Sequence, residues 1–194
     1  MAEPTTKSEP LTYAEAKAIE DASDERHVLW DGVLYGMAGA SLAHYRIEQQ
    51  LTVALAAALV GAPCEVFTGN ARLRPLHMDR FFYADASVFC EPPLLDPDDS
   101  NALTNPSAVF EVLSPTTERF DRTEKFAVYR EMPSVRLIVF LRSDAVSVER
   151  YERTAGGWVV TTFGPSERVP LLHGALAVDE VYRGVQFAPR PRLL

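Results

Sequence analysis

Residues 108–135 read AVFEVLSPTTERFDRTEKFAVYREMPSV, and this stretch decides the fold. Ala108–Leu113 is apolar except for one acid, Glu111, which is the composition of a short buried strand. Ser114-Pro115 ends it, since proline brings no N–H to a ladder. Asp121 is placed to cap a helix from Arg122 to about Glu131, with Glu124 completing the capping box and Pro133 closing the segment. Val135–Leu141 follows, the most apolar of the strand-like runs and a candidate for the centre of a sheet. Strand, helix and strand in succession indicate an α/β layered domain.

Upstream, Thr12 and Glu15 frame a capping box for a short helix over TYAEAKAIED. His27–Trp30 and Val33–Met37 flank Asp31-Gly32, a hairpin signal. Residues 42–60 form the clearest helix, with Ile47, Leu51, Ala54, Leu55, Ala58 and Leu59 at helical spacing and Gly61 and Pro63 as the stop. Cys64–Thr68 and Ala71–Arg74 read as a second strand pair around Gly69-Asn70, and Phe81–Phe89 as one alternating strand. Glu91–Pro106 reads as a long functional or mobile loop. Downstream, Val146–Tyr151 and Trp158–Phe163 form a hairpin across Gly156-Gly157, and Asp179–Tyr182 is a last short element. One domain is expected over residues 11–185, with a disordered tail at 1–10 and a second tail at 186–194.

The chain has 194 residues, 47% hydrophobic and 24% charged, an ordinary composition for a domain that folds without staples. The first ten residues carry no apolar signal region, and the longest apolar run, Val53–Val60, is too short to span a bilayer. Cys64 and Cys90 match neither a metal spacing nor a disulfide framework, so a reducing cytoplasm is the expected compartment. The net charge of −8 argues against a protein that coats nucleic acid. It leaves room for an enzyme that meets phosphate through a metal and a local basic strip.

Three polar residues stand where the pattern expects apolar ones: Asp85 within FFYADASVF, Glu111 within AVFEVL, and Lys125 on the following helix. An acid inside a strand is costly unless paired, hydrogen-bonded or bound to metal. Two acids on adjacent strands can share one hard cation, and a nearby lysine can orient water or stabilise charge on phosphorus. The bland alternatives are a solvated strand end for Asp85, an ion pair of Glu111 with Lys125 or Arg130, and a solvated face for Lys125. His44 and Glu48, one turn apart at the edge of the apolar stripe of residues 42–60, are auxiliary candidates. Arg72 and Arg74 share a strand face, either solvated or touching phosphate.

WDGVLYGMAG, Ala43-His44 opening a helix, YADASV, and FEVLSPTTERFDRTEKFAVYREMPSV resemble, in order and spacing, the Uma-two family of restriction-endonuclease-like proteins in the PD-(D/E)xK nuclease superfamily. The resemblance covers about residues 11 to 185, and its specific part is Glu111–Tyr129. It implies a mixed central sheet flanked by helices, with extra terminal hairpins. It also implies that Asp85 and Glu111 are the motif acids and metal ligands, with magnesium or manganese as cofactor. In the wider superfamily a lysine stands two residues after the second acid. Leu113 occupies that place here, and Lys125 resembles a migrated lysine. Val28 and Val33 replace acids frequent in the family, and Tyr83-Ala84-Asp85 replaces its Tyr-Pro-Asp turn. The expected activity is metal-dependent cleavage of nucleic acid, DNA first. The rival readings are a catalytically silent module for protein or nucleic-acid binding, and a phosphoesterase for small nucleotides. Cutting both strands of a duplex takes two sites, so a homodimer is expected.

Overall fold

The computed structural model describes residues 9–37 and 39–187. Of the tails expected at 1–10 and 186–194, residues 1–8 and 188–194 lie outside these. Thr12 caps α1 (Tyr13–Ala22), accepting from the Glu15 N–H while the Glu15 carboxylate reaches back to the Thr12 N–H, as the capping box requires. A hairpin follows, β1 (His27–Trp30) and β2 (Val33–Gly36), turning on Asp31 and Gly32. Both turn residues have positive φ, 49° and 75°, the demand that the Asp-Gly pair anticipated. Ser41 caps α2 (Leu42–Ala58), whose Ile47, Leu51 and Leu55 are fully buried.

β3 (Glu65–Thr68), β4 (Arg72–Leu73), β5 (Phe82–Tyr83), β6 (Ala86–Phe89), β7 (Leu95–Asp96), β8 (Asp99–Leu103) and β9 (Ala108–Leu113) come next. A continuous helix then comprises α3 (Glu118–Phe120), a π-helical turn (Asp121–Lys125) and α4 (Phe126–Glu131). β10 (Leu137–Arg142), β11 (Val148–Thr154), β12 (Gly157–Phe163), β13 (Arg168–Pro170), β14 (Ala175–Ala177) and α5 (Val178–Val181) complete the order.

The central sheet has the order β12-β11-β10-β9-β6-β3 and is mixed. β9 and β10 are its parallel pair, as the strand–helix–strand reading of residues 108–141 implied, and both are buried over nearly their whole length. One face packs on α2 and α5 through Ala86, Val88, Phe110, Val112 and Val139. The other packs on the α3–α4 helix through Phe89, Val109, Leu113 and Ile138 against Val128 and Tyr129. The fold is the mixed α+β sheet with flanking helices that the resemblance implied.

Five sequence expectations are corrected. β3 and β4 do not pair: Gly69-Asn70 turns the chain between sheets, β3 pairing with β6 and β4 with β5 and β8. Phe81–Phe89 is two strands, because the ladder breaks at Ala84-Asp85. Residues 91–106 are not an unstructured loop but carry β7 and β8 in a four-stranded sheet. Their pattern hid because Asp96 and Asp99 are buried acids, matched by Arg74 and Arg72. Asp121 caps nothing: the helix begins three residues earlier, and Asp121 is buried inside it. Cys64 and Cys90 form a disulfide. The β3–β6 register pairs Glu65 with Phe89, which sets residues 64 and 90 opposite each other, a relation that a separation of 26 residues does not reveal. The expectation of a reducing compartment therefore loses its argument. Among the described residues no helix is long and apolar enough to cross a membrane.

Candidate active site

The break between β5 and β6 builds the site. Antiparallel pairing of β6 with β9 reaches Ala86↔Phe110 and stops. Beyond it, the Asp85 side chain replaces the ladder, its Oδ2 accepting from the Val112 N–H at 2.6 Å. The other carboxylate oxygen, Oδ1, lies 3.2 Å from His44 Nε2. Asp85 thus sits between His44 of α2 and the backbone of β9 next to Glu111.

His44 and Glu48 are one turn apart on α2. His44, Glu48 and Asp85 each offer a ligand atom within 4.8 Å of the other two. The Glu48 carboxylate is half-buried and makes no hydrogen bond or ion pair among the described residues. Burial and the Asp85 charge push its pKa up. His44 Nδ1 is buried without a hydrogen-bond partner. Burial disfavours the imidazolium, but Asp85, Glu48 and Glu111 outweigh it and raise the His44 pKa. Gly69 closes the space around Glu48: a Cβ there would meet Glu48 Oε1 at 3.0 Å. A half-buried acid without a partner, a second acid and an imidazole converging on one point form a donor set that fits a divalent cation.

Behind this set lies a closed polar cluster. Glu111 is 2% exposed. Its Oε1 accepts from Lys125 Nζ at 2.9 Å and from Tyr129 OH at 2.5 Å. Lys125 Nζ also donates to Tyr83 O at 3.0 Å and lies 3.3 Å from Asp121 Oδ1. Two of the ammonium protons are thus donated, to Glu111 and Tyr83, and Asp121 adds an ion-pair contact. The π-helical turn sets this up, because its wider winding still aims Asp121 and Lys125 at one point in the core; such turns recur at functional sites. Burial, with Asp121 and Asp85, pushes the Glu111 carboxyl up to about 8 against the pull of Lys125. Burial works against the Lys125 ammonium, but Glu111, Asp121 and Asp85 prevail and hold its pKa above the usual range.

Asp85, Glu111, Lys125, His44 and Glu48 are therefore brought to one locus. They divide into an outer group of His44, Glu48 and Asp85 and an inner one of Glu111 and Lys125. Glu111 is not part of the outer ligand group. Arg72 and Arg74 go elsewhere: Arg72 is buried on Asp99, Asp21 and Tyr83, and Arg74 binds Asp96. Sequence reasoning missed Arg26. This exposed guanidinium donates to Gly69 O at 2.6 Å, lies 5.6 Å from the Tyr83 ring centre, and is close enough to Glu48 to oppose the rise in its pKa. Position 26, just before an ordinary edge hairpin, carries no signal of this.

Comparison with known proteins now bears on the site. The Uma2 family profile, described as "Putative restriction endonuclease", matches residues 13–179. The chain belongs to the Uma2 family. Two Synechocystis proteins described as uncharacterised are similar to this Uma2 chain. One, slr1290, is 31% identical over 187 residues, covering 95% of this chain and 96% of its own. The other, sll1609, is 31% identical over 152 residues, covering 78% and 86%. A crystal structure from Anabaena variabilis, described as "a putative nuclease belonging to DUF820", superposes with a TM-score of 0.70 at 17% identity. It covers 89% of this chain and 98% of that one, a likeness of fold.

Proposed function

We propose that this Uma2 chain is a metal-dependent phosphodiester hydrolase acting on nucleic acid, with the cation held by His44, Glu48 and Asp85. The observation that carries the reading is Glu48: a half-buried carboxylate with no hydrogen-bond partner among the described residues, within 4.8 Å of two further ligand atoms. Only the charges of His44 and Arg26 offset its partial burial, and a cation in the space would offset the rest. The imidazole in the donor set favours manganese over magnesium, whose preference is for oxygen alone. Bound there, such a cation supplies Lewis acidity toward a phosphate oxygen and water.

The remaining residues have separate roles. Lys125 holds Glu111 through a hydrogen bond and Asp121 through an ion pair. Glu111, titrating near neutrality, carries a proton beside Asp85 and is the candidate general base or acid. Arg26 at the lip meets the substrate phosphate, which places positive charge where a chain of net charge −8 otherwise lacks it.

The test is manganese binding by calorimetry, together with cleavage of plasmid, single-stranded DNA and RNA, for the parent, Glu48→Gln, Asp85→Asn and Arg26→Ala. The expected result is loss of metal affinity in the first two variants and weaker substrate use with intact metal affinity in the third. Unchanged manganese affinity in Glu48→Gln would refute the site. Metal binding without cleavage of any substrate would select the silent module, a reading favoured by the burial of Lys125 on Glu111 and Tyr83.

A further inference from the structure

Cys64, Cys90 and His173 form a second cluster at the opposite end of β6 from Asp85. Asp85 and Cys90 bracket that strand, so roughly 16 Å of extended chain separates the two groups, at about 3.3 Å per residue. The three side chains offer ligand atoms within 4.8 Å of one another. Three separate parts of the fold deliver them. Cys64 precedes β3, the edge strand of the central sheet, Cys90 follows β6, and His173 stands in the tight turn between β13 and β14. That turn is pinned. Leu171 N donates to Gly174 O, and Gly174 has φ +71° and lies so close to the end of α2 that a Cβ would meet Ala58 O at 2.5 Å. His173 is thus held beside the disulfide by backbone packing, although its own side chain is exposed.

We propose that this cluster is a redox-gated site for a soft divalent cation, with zinc as the ion whose chemistry fits it. In the oxidised protein the two sulfurs bond to each other and staple β3 to β6. A small dithiol reduces them: it passes two electrons and two protons to the disulfide, giving two thiols, and becomes a disulfide itself. Zinc then displaces the two thiol protons and takes both thiolates and the His173 imidazole, leaving a fourth tetrahedral position to water. Thiolates select zinc, whereas the carboxylates of His44, Glu48 and Asp85 suit a harder ion, so the two sites take different metals. The zinc then ties β3 to β6 in a reducing compartment, as the disulfide does in an oxidising one, and adds the β13–β14 turn through His173.

The test uses the full chain with Glu48→Gln and Asp85→Asn in place, so that the other site does not contribute. Oxidised and dithiol-reduced samples are incubated with zinc, desalted and analysed for bound metal. The reduced protein is expected to retain one zinc per chain and the oxidised protein none. Cobalt in place of zinc is expected to give a thiolate-to-metal charge-transfer band, absent in Cys90→Ser. His173→Ala, at an exposed position that leaves the core intact, is expected to weaken zinc at least about tenfold, the scale of losing a group that supports a metal. No zinc in the reduced protein would overturn the proposal. So would equal zinc in oxidised and reduced samples, or an affinity indifferent to His173→Ala.

Discussion

Glu111→Gln tests the electrostatics of the inner cluster. The substitution keeps the shape of the side chain and an oxygen able to accept from Lys125 and Tyr129, but it removes the titration. In the parent, burial with Asp121 and Asp85 pushes the Glu111 carboxyl from 4.5 up to about 8. The folded state therefore keeps a proton that the unfolded chain releases. The sign follows: the contribution of this group is fully present below pH 4.5 and is lost as pH rises to 8. Each pKa unit is worth about 1.4 kcal/mol, so the loss across this window is at most about 5 kcal/mol. Glutamine loses nothing there. Urea unfolding of both proteins in EDTA, from pH 4 to 9, should show the stability of the variant relative to the parent rising by up to about 1.4 kcal/mol per pH unit and levelling above 8. His44 and Glu48 titrate in both proteins and cancel in the difference. Manganese should narrow the gap at pH 8, because a cation beside Asp85 removes one of the charges that raise Glu111. A difference that stays constant across the window would refute this account of the inner cluster.

Three further predictions concern the inner cluster, the metal ligands and the edge strand β12. Lys125→Met leaves Glu111 and Asp121 as buried acids without their shared cation and should cost about 3–5 kcal/mol in thermal or urea unfolding at pH 8. Manganese affinity should fall as pH drops from 8 to 6, by up to about tenfold per pH unit for each ligand protonated, because His44 and Glu48 both hold their protons to higher pH than usual; calorimetry at three pH values reads it, and a flat profile would exclude His44 as a ligand. A homodimer built on the exposed apolar side chains of the edge strand, Val159 and Val160, should scatter light at twice the chain mass of 21.5 kDa, and Val160→Lys should return it to the monomer.

Where burial and apolar periodicity coincide, the fold was legible. α2 buries Ile47, Leu51 and Leu55 in the stripe its spacing announced, and β9 and β10 are the buried strands their composition described. Reading failed where polar side chains do core work. β7 and β8 are spelled LD and DSNAL, and their acids are buried because Arg72 and Arg74 arrive from β4 to match them. No local pattern encodes a partner that comes from another strand. The disulfide failed for the same reason: it depends on the β3–β6 register, which is a tertiary fact.

The residues of the candidate site were legible in the sequence, and the fold adds which of their side chains have partners. Asp85, Glu111 and Lys125 each violate the local apolar pattern, and violations of pattern collect at functional sites. What the pattern cannot express is which oxygen is free. Glu111 was expected as a ligand because the resemblance makes it the second motif acid; the fold surrounds it with Lys125 and Tyr129. Glu48 looked auxiliary, being one acid on the edge of a helix, yet its carboxylate is the one without a hydrogen-bond partner. A cation needs ligands whose burial the protein does not fully offset, so partner accounting ranks Glu48 above Glu111 where the resemblance ranks them in reverse. If so, Glu48→Gln should abolish manganese binding and leave folding intact, while Glu111→Gln should shift the pH dependence of folding and leave manganese bound.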